Sequence, residues 1–340
     1  MKLFSILVFC LLAGCLLEAE DTLQASEHTL SSNKQIKRVF GSSPPMTYLL
    51  YALNPDKITG LNFKAKNPNN SAEKGLVGDR FLSLPVIGSF HAGGNDINLE
   101  SLMAYKPQLI LVWQDDMRRQ IIEREIKKTN IPVLSIEFSD IEDMPKAFIR
   151  AGEAIGEKER GQMLAESIQK SIDEVRAATA KLKPVRYYYA EGIDGLSTEC
   201  DRSFHVQALN FAGGENVHKC QQKEVLGLEK ITFETLLNYD PEVIVVQNRA
   251  VYNDILLDPL WRRLSAVKNK RVYLVPTAPF NWLDRPPSFM RALGIQWLAS
   301  VFHPEAYTID LNDRIKVFYE LFFNVRLNDE QIKNILRTSL

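Results

Sequence analysis

The sequence predicts an α/β protein of two similar lobes, each built on a parallel sheet, joined by one long rigid helix with a cleft between the lobes. Three observations carry this. A helix–turn–strand segment occurs twice: residues 98–112 and 232–246 hold glutamate, leucine, tyrosine, proline, isoleucine and valine in one register. The strand of each copy is apolar without polar alternation, as a strand covered on both faces of a parallel sheet is. Between the copies, residues 157–182 carry Met163, Leu164, Ile168, Ile172, Val175 and Ala178 at helical spacing, and Pro184 stops the run. At 340 residues the chain also exceeds what one core ordinarily holds.

The elements follow in order. Residues 1–14 read as an export signal, with Lys2 as its charge and residues 3–13 as an apolar run too short to span a bilayer. Leu12-Ala13-Gly14-Cys15 resembles a lipoprotein signal, cut before Cys15, whose thiol takes the lipid. An ordinary signal cut nearer Ala19 or Ala25 is the alternative. Residues 15–36 are polar and aperiodic, a tether. The N-terminal lobe spans 37–138, with strands at 38–40, 57–61, 109–112 and 133–136. Residues 139–183 link the lobes through the long helix. The C-terminal lobe spans 184–302, with strands at 186–190, 243–246 and 271–275, and Pro286-Pro287 precedes a helix over 288–301. Residues 303–340 close the chain with helices at 311–323 and 328–336.

Composition narrows the function. Lys and Arg number 41 against 42 Asp and Glu, so there is no basic excess to neutralise phosphates and nucleic acid is excluded as main partner. A hydrophobic share of 45% excludes a disordered chain. No HExxH, GxSxG or Walker pattern is present, and Gly93-Gly94 and Gly213-Gly214 lack the spacing and lysine of a nucleotide loop. Cys200 and Cys220 suit a disulfide in an oxidising compartment. Two buried thiols remain the alternative.

Several short motifs then occur in a telling order. They are Pro85-Val86-Ile87-Gly88 before Asn98-Leu99-Glu100, Lys106-Pro107 before a strand, Glu191-Gly192-Ile193-Asp194-Gly195-Leu196, Gly213-Gly214-Glu215-Asn216-Val217, and Asp284-Arg285-Pro286-Pro287-Ser288. From about Arg38 to the end, the chain resembles the helical-backbone class of periplasmic substrate-binding proteins. These serve ABC importers for ferric siderophores, haem, cobalamin and, in some members, nickel chelates. The resemblance implies a non-enzymatic, monomeric receptor with no intrinsic cofactor, binding an Fe(III) or Ni(II) chelate between its lobes. It also implies docking onto a permease dimer through one glutamate per lobe, and Glu100 and Glu234 occupy the matching places. A solvated first-turn glutamate is the plainer reading of each.

Candidate ligand residues cluster at the carboxyl ends of the strands, where open α/β sheets bind ligands. His91 sits in a glycine-rich loop, where an imidazole suits a borderline metal. Arg202 and Arg249 follow strands, and guanidinium forks suit carboxylates and catecholates; local ion pairs are the alternative. Trp282 is expected to cover an apolar ligand face, with Asn281 or Arg285 hydrogen-bonding to it, unless the Asp284–Arg285 pair only fixes the loop. His205 opens a helix, as a cap, a surface residue or a cleft residue. Siderophore relatives often place a tyrosine in the 276–291 loop, and none stands there. Corrinoid or haem capture is the alternative within the class. A metal-dependent enzyme is the alternative outside it, with only Cys200 near the cleft to support it.

Overall fold

The computed structural model describes residues 35–64, 75–90, 97–114, 119–222 and 227–336. The signal, Cys15 and His91 therefore lie outside the described residues. The N-terminal lobe runs β1 (Val39–Gly41), α1 (Pro44–Leu53), α2 (Asp79–Leu82), α3 (Leu99–Ala104), β2 (Leu109–Trp113), α4 (Arg119–Lys127) and β3 (Val133–Ile136). Its three strands pair in parallel in the order β1-β2-β3. Two helices follow, α5 (Met144–Ile155) and α6 (Lys158–Thr179). The C-terminal lobe contains β4 (Val185–Ala190), β5 (Ser197–Thr198), α7 (Gln207–Phe211), β6 (Gly214–Asn216), β7 (Glu229–Lys230), α8 (Phe233–Tyr239), β8 (Val243–Val246), α9 (Arg249–Leu257), α10 (Ser265–Lys268) and β9 (Val272–Leu274). Its main sheet is parallel, in the order β6-β4-β8-β9, and β5 and β7 form a small antiparallel pair. Helices α11 (Arg291–Phe302), α12 (Leu311–Phe323) and α13 (Asp329–Leu336) end the described chain.

The sequence repeat is a structural repeat. Asn98 caps α3 by accepting from Ser101 N at 3.0 Å, and Thr232 caps α8 by accepting from Thr235 N at 3.1 Å. Both helices end at a left-handed residue just before a proline, Lys106 at φ 51° and Asp240 at φ 37°. A proline disfavours helical backbone in the residue before it, so the chain turns there into β2 or β8. Both are interior strands of their sheets.

Strand alternation divides the core. Val39, Leu109, Leu111, Leu134 and Ile136 of the first sheet share one continuous apolar core with Tyr187, Tyr189, Val243 and Val245 of the second. Opposite faces pack separately, Phe40, Ile110 and Val112 under α4, and Tyr188, Ile244 and Val246 against Trp261 and Leu264. The shared core is lined by α6, which buries Leu164, Ile168, Ile172 and Val175, and by the almost fully buried α11. α5 and α6 cross closely because both are glycine at the contact: a Cβ on Gly161 would lie 2.6 Å from Phe148 O. Lobes fused through one core have little hinge freedom, since separating them exposes packed apolar surface.

The structure departs from expectation in two places. Residues 57–61 are not a strand: a 3-10 turn over Pro55–Lys57 is followed by single bridges at Ile58 and Leu61. The helix placed over 288–301 begins at Arg291, because Ser288 makes a turn in which its hydroxyl accepts from Met290 N. The C-terminal helices return to the N-terminal lobe. There Phe323 of α12 meets Tyr51 of α1, with ring centroids 5.7 Å apart, and Arg160 donates to Ala52 O at 3.1 Å and to Leu321 O.

Candidate ligand cleft

The carboxyl ends of both sheets face each other. Trp113, at the end of β2, lies 5.6 Å from Phe204 of the other lobe, and Tyr48 of α1 stacks on Phe280 at 3.9 Å. Arg291 ties the lobes beneath. It donates to Phe138 O at 2.8 Å, Ser139 O at 2.9 Å and Gln207 Oε1 at 3.1 Å, with its guanidinium 5.3 Å from the Phe204 ring. Burial lowers its pKa to about 10, so it stays a cation at neutral pH.

Above this floor lies a cleft of about 410 Å³, lined by Thr47, Tyr48, Asn62, Phe63 and Lys64 from one lobe and by Phe280, Asn281 and Arg285 from the other. Asn62 fixes the first wall. It donates to Gly41 O at 2.9 Å and Gly88 O at 3.2 Å and accepts from Thr47 Oγ1 at 2.7 Å. Burial pushes the Tyr48 phenol up to about 12, which keeps it neutral.

Behind Asn281 and Arg285 of the second wall lies a largely buried polar network. Asp284, 2% exposed, accepts from Tyr189 Oη at 2.7 Å and Gln247 Nε2 at 2.8 Å, and meets His205 Nδ1 at 2.6 Å. Asn281, on the cleft lining, donates to Gln247 Oε1 at 2.8 Å and links the network to the cleft. A carboxylate holding Nδ1–H leaves His205 Nε2 as the imidazole's free lone pair, the arrangement that orients metal-ligating histidines. Beside it, Arg285 bonds Glu191 and also Glu199 Oε1 at 2.6 Å. Burial, with the charges of Asp284 and Glu199 nearby, pushes Glu191 up to about 8 despite the Arg285 hydrogen bond. Glu199 is anchored in turn by Ser203 Oγ at 2.7 Å and Leu228 N at 3.0 Å. The chain passes that carboxylate only because residue 227 is glycine: at φ 72°, a Cβ there would lie 2.0 Å from Glu199 Oε1.

The residues singled out in the sequence are distributed unevenly over this site. Asn281 and Arg285 line the cleft, and Arg285 also fixes the loop through its glutamates. Trp282 does not cover a ligand face. It is wholly buried with Nε1 on Ala278 O, and Gly294 of α11 packs against its backbone. The loop presents Phe280 to the cleft instead. Arg202 and Arg249 are exposed, Arg249 at the start of α9 directly after β8. Glu100 and Glu234 are exposed at equivalent first-turn positions of α3 and α8. Cys200 and Cys220 are bonded, with Cα atoms 5.0 Å apart. Sequence reasoning missed the Asp284–His205 pair and the two glutamates on Arg285, which long separations join. Among the described residues no helix is long and apolar enough to cross a membrane.

The chain is similar to proteins of one kind. The periplasmic binding protein family profile matches residues 42–279. A solved ABC transporter solute-binding protein from Sulfurospirillum deleyianum is 39% identical, with a TM-score of 0.85, covering 89% of this chain and 95% of that one. The molybdate-binding protein MolA of Haemophilus influenzae is 28% identical over 255 residues, 67% of this chain and 70% of its own. CeuE of Helicobacter pylori, solved as a nickel–histidine complex, shares the fold at 19% identity, with a TM-score of 0.66 over 89% of this chain and 95% of that one. The chain belongs to the periplasmic binding protein family, as a substrate-binding component of an ABC importer and not an enzyme.

Proposed function

We propose that this protein captures a small metal chelate in its inter-lobe cleft and delivers it to the importer's permease. The single observation that carries the reading is the Asp284-held imidazole of His205, 17% exposed at the lobe junction. An imidazole nitrogen suits nickel(II), a borderline cation. The chelator would carry carboxylates for the exposed Arg202 and Arg249, whose guanidiniums suit them. A bare oxyanion such as molybdate finds one guanidinium on this wall, Arg285, which is already paired with the buried Glu191 and Glu199. The volume also argues against a corrinoid or haem, as about 410 Å³ lies low in the range of small-ligand pockets.

Limited hinge freedom implies that the ligand enters a largely preformed cleft. Glu100 and Glu234, one per lobe, then offer a symmetric pair of charges to a two-fold permease. Cys15 anchors the receptor to the membrane through its lipid, and the segment between it and the first lobe serves as a leash.

The test is calorimetric titration of the exported protein with nickel(II)–histidine, ferric citrate, molybdate and cobalamin. The reading expects nickel–histidine to bind most tightly and His205→Ala to weaken it by roughly tenfold or more. Preferred binding of molybdate or cobalamin, unaffected by His205→Ala, contradicts it.

A further inference from the structure

We propose that Cys200, Cys220 and His218 form a second metal site, separate from the cleft, which exists only while the disulfide is reduced. One donor atom from each residue lies within 4.8 Å of the others. Donors around a tetrahedral zinc at about 2.0–2.3 Å stand roughly 3.3–3.8 Å apart, so after reduction the two sulfurs part and the imidazole draws in by side-chain rotation.

His218 is already oriented for such a role. Its Nδ1 lies 3.0 Å from Tyr239 Oη, which leaves Nε2 for a metal and supplies the outer partner that ligating histidines carry. Asp201 Oδ1 accepts from Cys220 N at 3.3 Å, which holds the backbone of one cysteine in place. Two thiolates and an imidazole, with a water as fourth ligand, make a set for a soft or borderline divalent cation, zinc(II) or nickel(II).

The two states exclude each other. In the disulfide the sulfurs are bonded together and carry no thiolate charge. A dithiol reductant gives two electrons and two protons to the S–S bond, leaving two cysteine thiols and becoming a disulfide itself. The divalent metal then forms two S–metal bonds and releases both thiol protons to water. The segment concerned runs straight into the cleft wall, since Cys200 lies between Glu199, on Arg285, and Ser203 and His205.

The test uses the exported chain, reduced with dithiothreitol, freed of it by anaerobic gel filtration, and titrated with cobalt(II). We expect a thiolate-to-cobalt charge-transfer band that saturates at one equivalent, is bleached by zinc(II), and is absent from the oxidised protein. Cobalt bound in the cleft gives no such band. His218→Ala should weaken binding by roughly tenfold or more, and Cys220→Ser should abolish the band. The proposal is overturned if the reduced protein shows no band, if His218→Ala leaves affinity unchanged, or if reduction alone collapses the far-ultraviolet circular dichroism.

Discussion

His205 Nδ1 and Asp284 Oδ2 meet at 2.6 Å although 79 residues separate them in the chain. Asp284 is buried and also takes hydrogen bonds from Tyr189 and Gln247, so the imidazole is fixed by a carboxylate that is itself fixed. Asp284→Asn keeps a side chain of the same size but gives up the charge that holds Nδ1–H. Ligand affinity should fall about 10–100-fold, as when outer partners of metal ligands are lost. Stability should fall by about 1–3 kcal/mol as buried donors lose a charged acceptor. Titration and denaturant unfolding separate the two effects.

Glu191 predicts the pH dependence of stability. Its folded pKa is raised by burial from 4.5 to about 8, so in that window the folded protein holds a proton that the unfolded chain has lost. Its stabilising contribution is complete below pH 4.5 and disappears as pH rises through about 8. Melting temperature should therefore decline across this window, and Glu191→Gln should flatten the decline. A variant whose profile matches the parent's would contradict the assignment.

Arg291 is expected to hold the floor of the cleft. Arg291→Met keeps the apolar stem but orphans Phe138 O and Ser139 O, which now accept from a buried cation. The expected cost is about 3 kcal/mol, from hydrogen bonds to a charged group. Hydrogen exchange around residues 138–140 should quicken at the same time, which a purely local packing loss in α11 would not produce.

Glu100 and Glu234 test docking separately from capture. Reversing both to arginine should leave ligand affinity unchanged and abolish uptake by the reconstituted importer, with each single reversal intermediate. Full uptake by the double variant would remove these residues from the docking face.

The repeat could be read from the sequence because each part is a local rule: a polar cap, a first-turn glutamate, a residue before proline, then a run buried on both faces. The long helix was equally plain, with α6 spanning Lys158–Thr179 inside the expected range. Residues 57–61 misled because Ile58 and Leu61 are buried anchors of an irregular segment, and burial alone mimics a strand. β6 was missed for the opposite reason. Gly214-Glu215-Asn216 has no strand pattern of its own and is drawn into the sheet by pairing with β4. Trp282 was assigned to the ligand because a loop sequence does not reveal which side chains turn inward. The second wall was hidden by distance, since Arg285 meets Glu191 and Glu199 across 94 and 86 residues.

The most direct test of the account is the crystal structure of the protein loaded with nickel(II)–histidine. The account predicts metal density in the inter-lobe cleft, with His205 Nε2 at a coordination distance of about 2.0–2.1 Å and the Asp284 bond retained. A ligand bound away from the cleft, or one held there with His205 turned from the metal, would contradict it.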